Sequence, residues 1–197
     1  MDVGPIASGL AFNGYDKETG EPKFDRVQSV ILWNLDFSSS VKELIASWNM
    51  SVPKWLKNYV FLRIASKDKK RGGFMKAAIC TFLVSAVWHG FYPGFYIFFV
   101  LLGTVDYVSK LYGQLLMPLV SGILPDPVIY MISWIWCFYW FSYINISFFL
   151  LSFENSHTIY SSMNYCGHII LLISIPLLKV MRSSKGEKPQ VKGTKVE

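Results

Sequence analysis

The stretch that most constrains this chain runs from Ala77 to Val105, 29 residues without a formal charge. A helix needs roughly 20 predominantly apolar residues to cross a bilayer core of about 30 Å, so the run is long enough to span. One ionisable side chain, His89, lies near its middle, between Trp88 and Gly90. A charged group at that depth costs roughly 2.5 kcal/mol or more, so an intramembrane histidine marks either a functional site or a neutral, hydrogen-bonded ring inside a bundle. Both readings are open for His89 on this ground alone.

The remaining charge is arranged around such runs. Only 16% of the residues are charged and 52% are hydrophobic, against about 25% charged in soluble domains. Charges collect in the N-terminal quarter, at 54–76 and in the C-terminal tail. The fold class that follows is an all-α integral membrane protein, with about four transmembrane helices preceded by interfacial amphipathic helices. The net charge of +6 does not argue for nucleic acid, because the basic residues flank hydrophobic segments. Positive-inside bias and anionic headgroups account for them there. Cys80, Cys137 and Cys166 all lie in apolar runs and offer neither a disulfide framework nor metal-ligand spacing. They read as buried thiols, and no metal site is expected. Residues 1–25 lack the basic stub and apolar core of a signal peptide, so insertion would be directed by an internal hydrophobic segment or by a part of the polypeptide outside this sequence.

Along the chain, residues 1–40 read as a loop region with short interfacial elements, punctuated by the turn signals Gly4-Pro5, Asn13-Gly14 and Gly20-Glu21-Pro22. Ser40 and Glu43 stand at capping-box spacing and start an amphipathic stretch over 41–64, which Pro53 should break close to Asn49. Its tryptophans, tyrosine and lysines suit the headgroup region. A transmembrane bundle over 74–181 follows. If Tyr92-Pro93-Gly94 breaks the first neutral run, a short first helix of about 22 Å leaves His89 deep near its end. A second helix then runs from about Phe95 to Tyr112. The 27 uncharged residues Pro127 to Phe153 make the clearest span. Beyond a tight Glu154-Asn155 connection lies a weaker one, about Ile159 to Val180. Residues 182–197 form a basic tail expected to be disordered and cytosolic. Basic flanks at 66–71 and in the tail on one side require an even number of crossings, which four helices supply.

No Ser-His-Asp arrangement, phosphate loop or metal cluster is apparent. Ser85 shares a helix face with His89 and reads as a nucleophile or as a serine bonded one turn back. His89 itself has an unperturbed pKa near 6.5, suited to taking a proton from a hydroxyl near neutral pH.

Several short patterns then fall in order. Trp48-Asn49 and Trp55-Leu56 precede Ser85-Ala86-Val87-Trp88-His89-Gly90. Residues 88–99 follow Trp-His-Gly-x-x-x-Gly-Tyr-x-x-x-Phe, with Phe95 at the tyrosine position. Tyr143 and Phe148 meet Tyr-x-x-x-x-Phe. Tyr160 and His168 meet the ends of Tyr-x-x-x-Tyr-Phe-x-x-His, with Asn164 and Tyr165 in place of its aromatic pair. A Trp-Asp pattern falls on Phe24-Asp25 without its tryptophan. In this order and spacing the chain resembles the membrane-bound O-acyltransferases, in the branch that reacylates lysophospholipids. The wording around Ser8-Gly9-Leu10 to Phe12-Asn13-Gly14-Tyr15 and Phe24-Asp25-Arg26-Val27 looks like its broad-specificity fungal members.

The resemblance implies the C-terminal part of a larger membrane-bound O-acyltransferase fold in the endoplasmic reticulum membrane, crossing it several times. It implies acyl-CoA as donor substrate, no bound cofactor, and a lysophospholipid hydroxyl as acceptor. His89 would be the general base and Asn49 its helper, orienting reactants or bonding developing charge. Trp88, Gly90, Gly94, Tyr143, Phe148, Tyr160 and His168 are the substrate-binding candidates. Three competing expectations stand beside this one: another acceptor (sterol, diacylglycerol or protein), a truncated scaffold without activity, and a proton relay through His89 and His168.

Overall fold

Glycine and proline set the break in the first apolar run. Helix α6, Gly73–His89, ends where Gly90 takes φ 129° and its amide donates to the carbonyls of Ala86 and Val87. A backbone at that φ is open to glycine and costly for other residues. Helix α7, Pro93–Leu115, restarts after Tyr92 with proline in its first turn, where the missing N–H costs nothing. The expected turn at Tyr92-Pro93-Gly94 is therefore present, and it folds α6 and α7 into an antiparallel pair.

The computed structural model describes residues 3–67 and 73–184. Among these the ordered elements are helical. Short helices α1 (Val3–Ala7) and α2 (Leu32–Asp36) lie in the N-terminal region, separated by a small hairpin around the Tyr15–Pro22 bridge. Ser40 caps α3 (Val41–Ser47), its Oγ accepting from the Glu43 amide at 3.2 Å. The chain turns a corner at Asn49 and continues through α4 (Ser51–Leu56), a wide π-helical turn over Lys57–Phe61, and α5 (Leu62–Lys67). The break beside Asn49 matches the sequence expectation, and Pro53 sits in the first turn of the new helix. After α7 come a four-residue helix α8 (Met117–Val120) and the long α9 (Asp126–Leu150).

One expectation is corrected here. The weaker span from Ile159 to Val180 is two helices, α10 (Phe153–Ser162) and α11 (Cys166–Ser184). Asn164 and Tyr165 hold φ of 50° and 49° between them, and two consecutive left-handed residues end any right-handed helix. The supposed Glu154-Asn155 connection is the first turn of α10, capped by Ser152. Helix α11 also continues to Ser184, past the expected start of the tail; residues beyond it, and residues 68–71 of the basic turn expected over 66–71, lie outside the described residues.

Among the described residues, three helices are long and apolar enough to cross a membrane: Pro93–Val120, Asp126–Leu150 and Cys166–Ser183, while Gly73–His89 is apolar but shorter. Seventeen residues extend about 25 Å, so α6 nearly matches a hydrocarbon core. The fold is that of an all-α integral membrane protein. Its core lies along α7, where Leu101, Val105, Val108, Leu111 and Leu115 form one buried stripe against Cys137, Trp140 and Ile144 of α9. Leu171 and Leu178 of α11 close a third side, and the hydroxyls of Tyr112 and Ser174 meet at 2.8 Å. Helix α9 also holds the N-terminal region, through Tyr130 Oη and Trp134 Nε1 donating to the carbonyls of Phe37 and Asp36.

The tightest crossing is at Gly94. Its amide donates to the Leu151 carbonyl at 2.7 Å, and a Cβ on Gly94 would lie 2.7 Å from the Leu151 Cα. Neither backbone can yield without breaking its own helix. Gly94→Ala should therefore destabilise the bundle by about 1–3 kcal/mol, the usual cost of overpacking. Thermal unfolding in detergent micelles checks this, and an unchanged midpoint would show that the crossing has slack.

Candidate active site

The end of α6 carries the first group of candidates. His89 is its last residue, and its ring lies 5.4 Å from Phe95, 5.3 Å from Phe99 and 5.3 Å from Phe148 between centroids. Phe95 and Phe99 are one turn apart on α7, so they present a single face. Phe148 reaches the same point from the last turn of α9. Among the described residues neither ring nitrogen of His89 has a hydrogen-bond partner, and the residue is exposed on its open side. The imidazole is thus held by ring contacts that leave both nitrogens free.

Trp88, next to it, is exposed and packs edge-on against Trp55 of α4 at 5.6 Å. Trp48 packs against Phe141 of α9 at 6.4 Å. These contacts place the corner that carries Asn49 beside α9 and the end of α6. Asn49 is half-buried with φ 48°, a conformation asparagine tolerates better than most residues. The corner is tied back by Met50 N–H to the Ser29 carbonyl and by Ile31 N–H to the Ser47 carbonyl. Among the described residues no hydrogen bond joins the Asn49 side chain to His89. Ser85 is buried one turn below His89, and no hydrogen bond joins those two either.

Gly90 and Gly94 shape this end of the bundle through the backbone, the first by its positive φ and the second by the α7–α9 crossing. Phe95, where the motif has tyrosine, packs its ring against both His89 and Phe148. Phe99, the last phenylalanine of the pattern over residues 88–99, was not among the substrate-binding candidates, although its i, i+4 spacing from Phe95 puts both on one face.

Tyr143, Tyr160 and His168 form a second, separate group. Tyr143 Oη and His168 Nδ1 are 2.7 Å apart, and Tyr160 Oη donates to the Tyr143 carbonyl at 3.2 Å. Gly167 permits this: a Cβ there would lie 2.6 Å from Cζ of the Tyr143 ring and clash with its edge. The left-handed pair Asn164-Tyr165 turns α11 so that Gly167 and His168 meet α9. Tyr143 and Phe148 are five positions apart on α9, about 140° around the helix. They therefore face different neighbours: Phe148 meets His89, while Tyr143 is buried between α10 and α11. Cys166, read as an inert thiol, lies 3.3 Å from Tyr139 Oη. Groups of His, Cys, Asp or Glu able to hold a metal ion are absent among the described residues.

With this geometry in view, comparison with known proteins decides the family. The model of the membrane-bound O-acyltransferase family matches residues 4–153. The chain belongs to this family. It is 33% identical over 180 residues to the lysophospholipid acyltransferase of Saccharomyces cerevisiae, covering 88% of this chain and 29% of that protein. It is 33% identical over 186 residues to the lysophospholipid acyltransferase of Schizosaccharomyces pombe, covering 91% of this chain and 36% of the relative. Lysophospholipid acyltransferase 1 of Arabidopsis thaliana is 31% identical over 189 residues, covering 94% of this chain and 40% of the relative. The chain thus spans well under half the length of these relatives.

The second group generates a structural prediction. Tyr143→Phe leaves the His168 nitrogen unpaired between α9 and α11 and should destabilise the protein by about 0.5–1.5 kcal/mol. Tyr165→Phe, whose hydroxyl makes no hydrogen bond among the described residues, should leave stability unchanged. Unfolding midpoints of the two variants in detergent check the difference, and equal midpoints would refute it.

Proposed function

We propose that this protein transfers a fatty acyl group from acyl-CoA to the free hydroxyl of a lysophospholipid in the endoplasmic reticulum membrane. The observation that carries the reading is His89: an open imidazole at a helix end, ringed by Phe95, Phe99 and Phe148, with both nitrogens free. Family membership supplies the reaction class, and the names of the relatives favour a lysophospholipid over a sterol, diacylglycerol or protein acceptor.

In the proposed step a ring nitrogen of His89 takes the acceptor hydroxyl proton as that oxygen attacks the thioester carbonyl carbon. The new C–O ester bond forms as the C–S bond breaks, and the leaving coenzyme A thiolate recovers the proton from the imidazolium. An aromatic surround suits this role. It holds the ring by shape on three sides and leaves the open side to the reactants. The Asn49 side-chain amide would assist by orienting the acceptor or bonding the oxyanion. Trp88 and Phe148 would border the reacting groups. Gly90 and Gly94 would serve by placing the turn, and Tyr143, Tyr160 and His168 by fixing α11 and α10 against α9.

Membranes containing the chain, incubated with labelled oleoyl-CoA and a panel of lysophospholipids, should form labelled phospholipid. His89→Ala should lower the rate by about 10²–10⁴-fold, the usual worth of a general base, with the protein still in the membrane. Transfer near the unmutated level would overturn the assignment, and no product from the unmutated chain would favour the scaffold reading.

Asn49 separates by a different pair of variants. Asn49→Gly keeps the left-handed corner and removes the amide, whereas Asn49→Ala removes both. If the amide acts in the reaction, both variants should lose roughly 10²-fold or more in turnover, as oxyanion donors do. Retained turnover in Asn49→Gly alone would reduce Asn49 to a turn residue.

A further inference from the structure

Between Lys76 and Asp126 the chain carries two formal charges, Asp106 and Lys110. They stand one turn apart on α7 and pair at 2.5 Å, inside the span Pro93–Val120. Ionisable residues within a span face the bundle interior or a cavity and mark what is bound there. Both line a cavity of about 460 Å³ bounded by α7, α8, α9 and the start of α3. Lys42 joins them from α3, and Ser39 and Ser133 add hydroxyls. The rest of the wall is apolar, with Leu116, Met117 and Val120 facing Ile129 and Ile132.

The cavity lies at the far end of the bundle from His89. Helix α7 passes His89 at Phe95 and Phe99 and reaches Asp106 two turns later. Helix α11 runs the same way, with His168 at Tyr143 and Ser174 at Tyr112. Lys179 and Arg182 therefore come to this end as well, as does Lys76 in the first turn of α6. Basic residues gather on the cytosolic side of a membrane, where anionic lipids attract them. Lys42 is exposed, with no ion pair or hydrogen bond among the described residues. Lys110 spends one of its three donors on Asp106, and its side chain is 56% exposed.

We propose that this cavity binds an acidic phospholipid, its phosphate between Lys42 and Lys110 and one acyl chain along the apolar wall. Asp106 balances one of the two lysines, so the polar end keeps a positive charge for an anion to meet. A phosphate offers several acceptor oxygens, enough for two ammonium groups and the neighbouring hydroxyls. A zwitterionic headgroup would bring a further cation to an end where cations already outnumber carboxylates. The apolar wall calls for hydrocarbon, and it is open sideways, since Ile132 is 50% and Met117 38% exposed. A peptide segment would bring backbone polar groups against that wall with little to pair them. Held by both lysines, the phosphate ties the first turn of α3 to α7. The site is separate from the reacting centre and does not depend on the acyltransferase reading.

Two substitutions probe the two ends of the site. Lys42→Gln removes the unpaired cation from an exposed position, where folding is not at risk. Gly113 lines the cavity from α7, and a Cβ there meets nothing within 4 Å, so Gly113→Phe enters the cavity without a backbone clash. Lys54→Gln, an equal charge change on the exposed face of α4, is the control. The first measurement is equilibrium binding of radiolabelled dioleoyl phosphatidic acid to the purified chain in dodecyl maltoside, with dioleoyl phosphatidylcholine for comparison. Phosphatidic acid should bind saturably and at least about tenfold more tightly than phosphatidylcholine. Lys42→Gln should weaken it by about tenfold, the worth of one charge-assisted hydrogen bond. Gly113→Phe should weaken it by a similar factor through the chain, and Lys54→Gln should leave it unchanged.

Equal affinity for the two lipids, or equal losses in Lys42→Gln and Lys54→Gln, would overturn the site. Glycerol 3-phosphate is the soluble competitor. Displacement of the lipid by it, with Gly113→Phe without effect, would make this a soluble phosphate site and overturn the lipid assignment. The second measurement is thermal unfolding, because a ligand bound to the folded state raises the midpoint. Phosphatidic acid should raise it in the unmutated chain and in Lys54→Gln, and not in Lys42→Gln; equal rises in all three would overturn the proposal. Should Gly113→Phe unfold without lipid, the contrast between the two lysine variants decides.

Discussion

The arrangement of this protein depends on one backbone contact, the approach of Gly94 to the end of α9. The Leu151 carbonyl takes the Gly94 amide at 2.7 Å, and Leu151 itself adopts φ 61° to present it. A non-glycine residue in that region is held against its own preference by its surroundings. The contact fixes three things together. It sets where α7 begins, and hence the turn that ends α6 at His89. It brings the last turn of α9, with Phe148, beside that turn. It also fixes the crossing about which the buried stripe from Leu101 to Leu115 packs. The position of His89 is thus a consequence of how two other helices meet, with no polar tether of its own.

This explains why parts of the arrangement were legible in the sequence. Gly90, Pro93 and Gly94 each carry a backbone requirement that few other residues meet, so a break there could be read directly from residue type. The same is true of Ser40, whose hydroxyl cap at Glu43 starts α3, and of the corner at Asn49 ahead of Pro53. The division between α10 and α11 was not legible. The left-handed positions there are Asn164 and Tyr165, and tyrosine gives no warning of such a turn. The apolar count on either side was high enough to suggest one span. The π-helical turn at Lys57–Phe61 gives no composition signal for the same reason: it is a property of hydrogen-bond register and not of residue type.

The candidate residues were legible as a set and not as a constellation. Tyr143 and Phe148 stand close in sequence, yet 140° of helix separates them. One supports His89 and the other clamps α11 through His168. Both histidines lie within apolar helices, but their surroundings differ in kind. His168 has a nitrogen committed to a tyrosine hydroxyl 2.7 Å away, as expected of a ring that joins helices. His89 has phenylalanines on three sides and no committed nitrogen among the described residues. Among the described residues no hydrogen bond joins the two histidines.

The contrast bears on how a histidine can be both well placed and reactive. Placement by hydrogen bond fixes orientation, but it spends a nitrogen and ties the proton to one partner. Placement by aromatic contact contributes about 0.5–1.5 kcal/mol per ring pair, so three rings hold an imidazole firmly while leaving its chemistry to incoming groups.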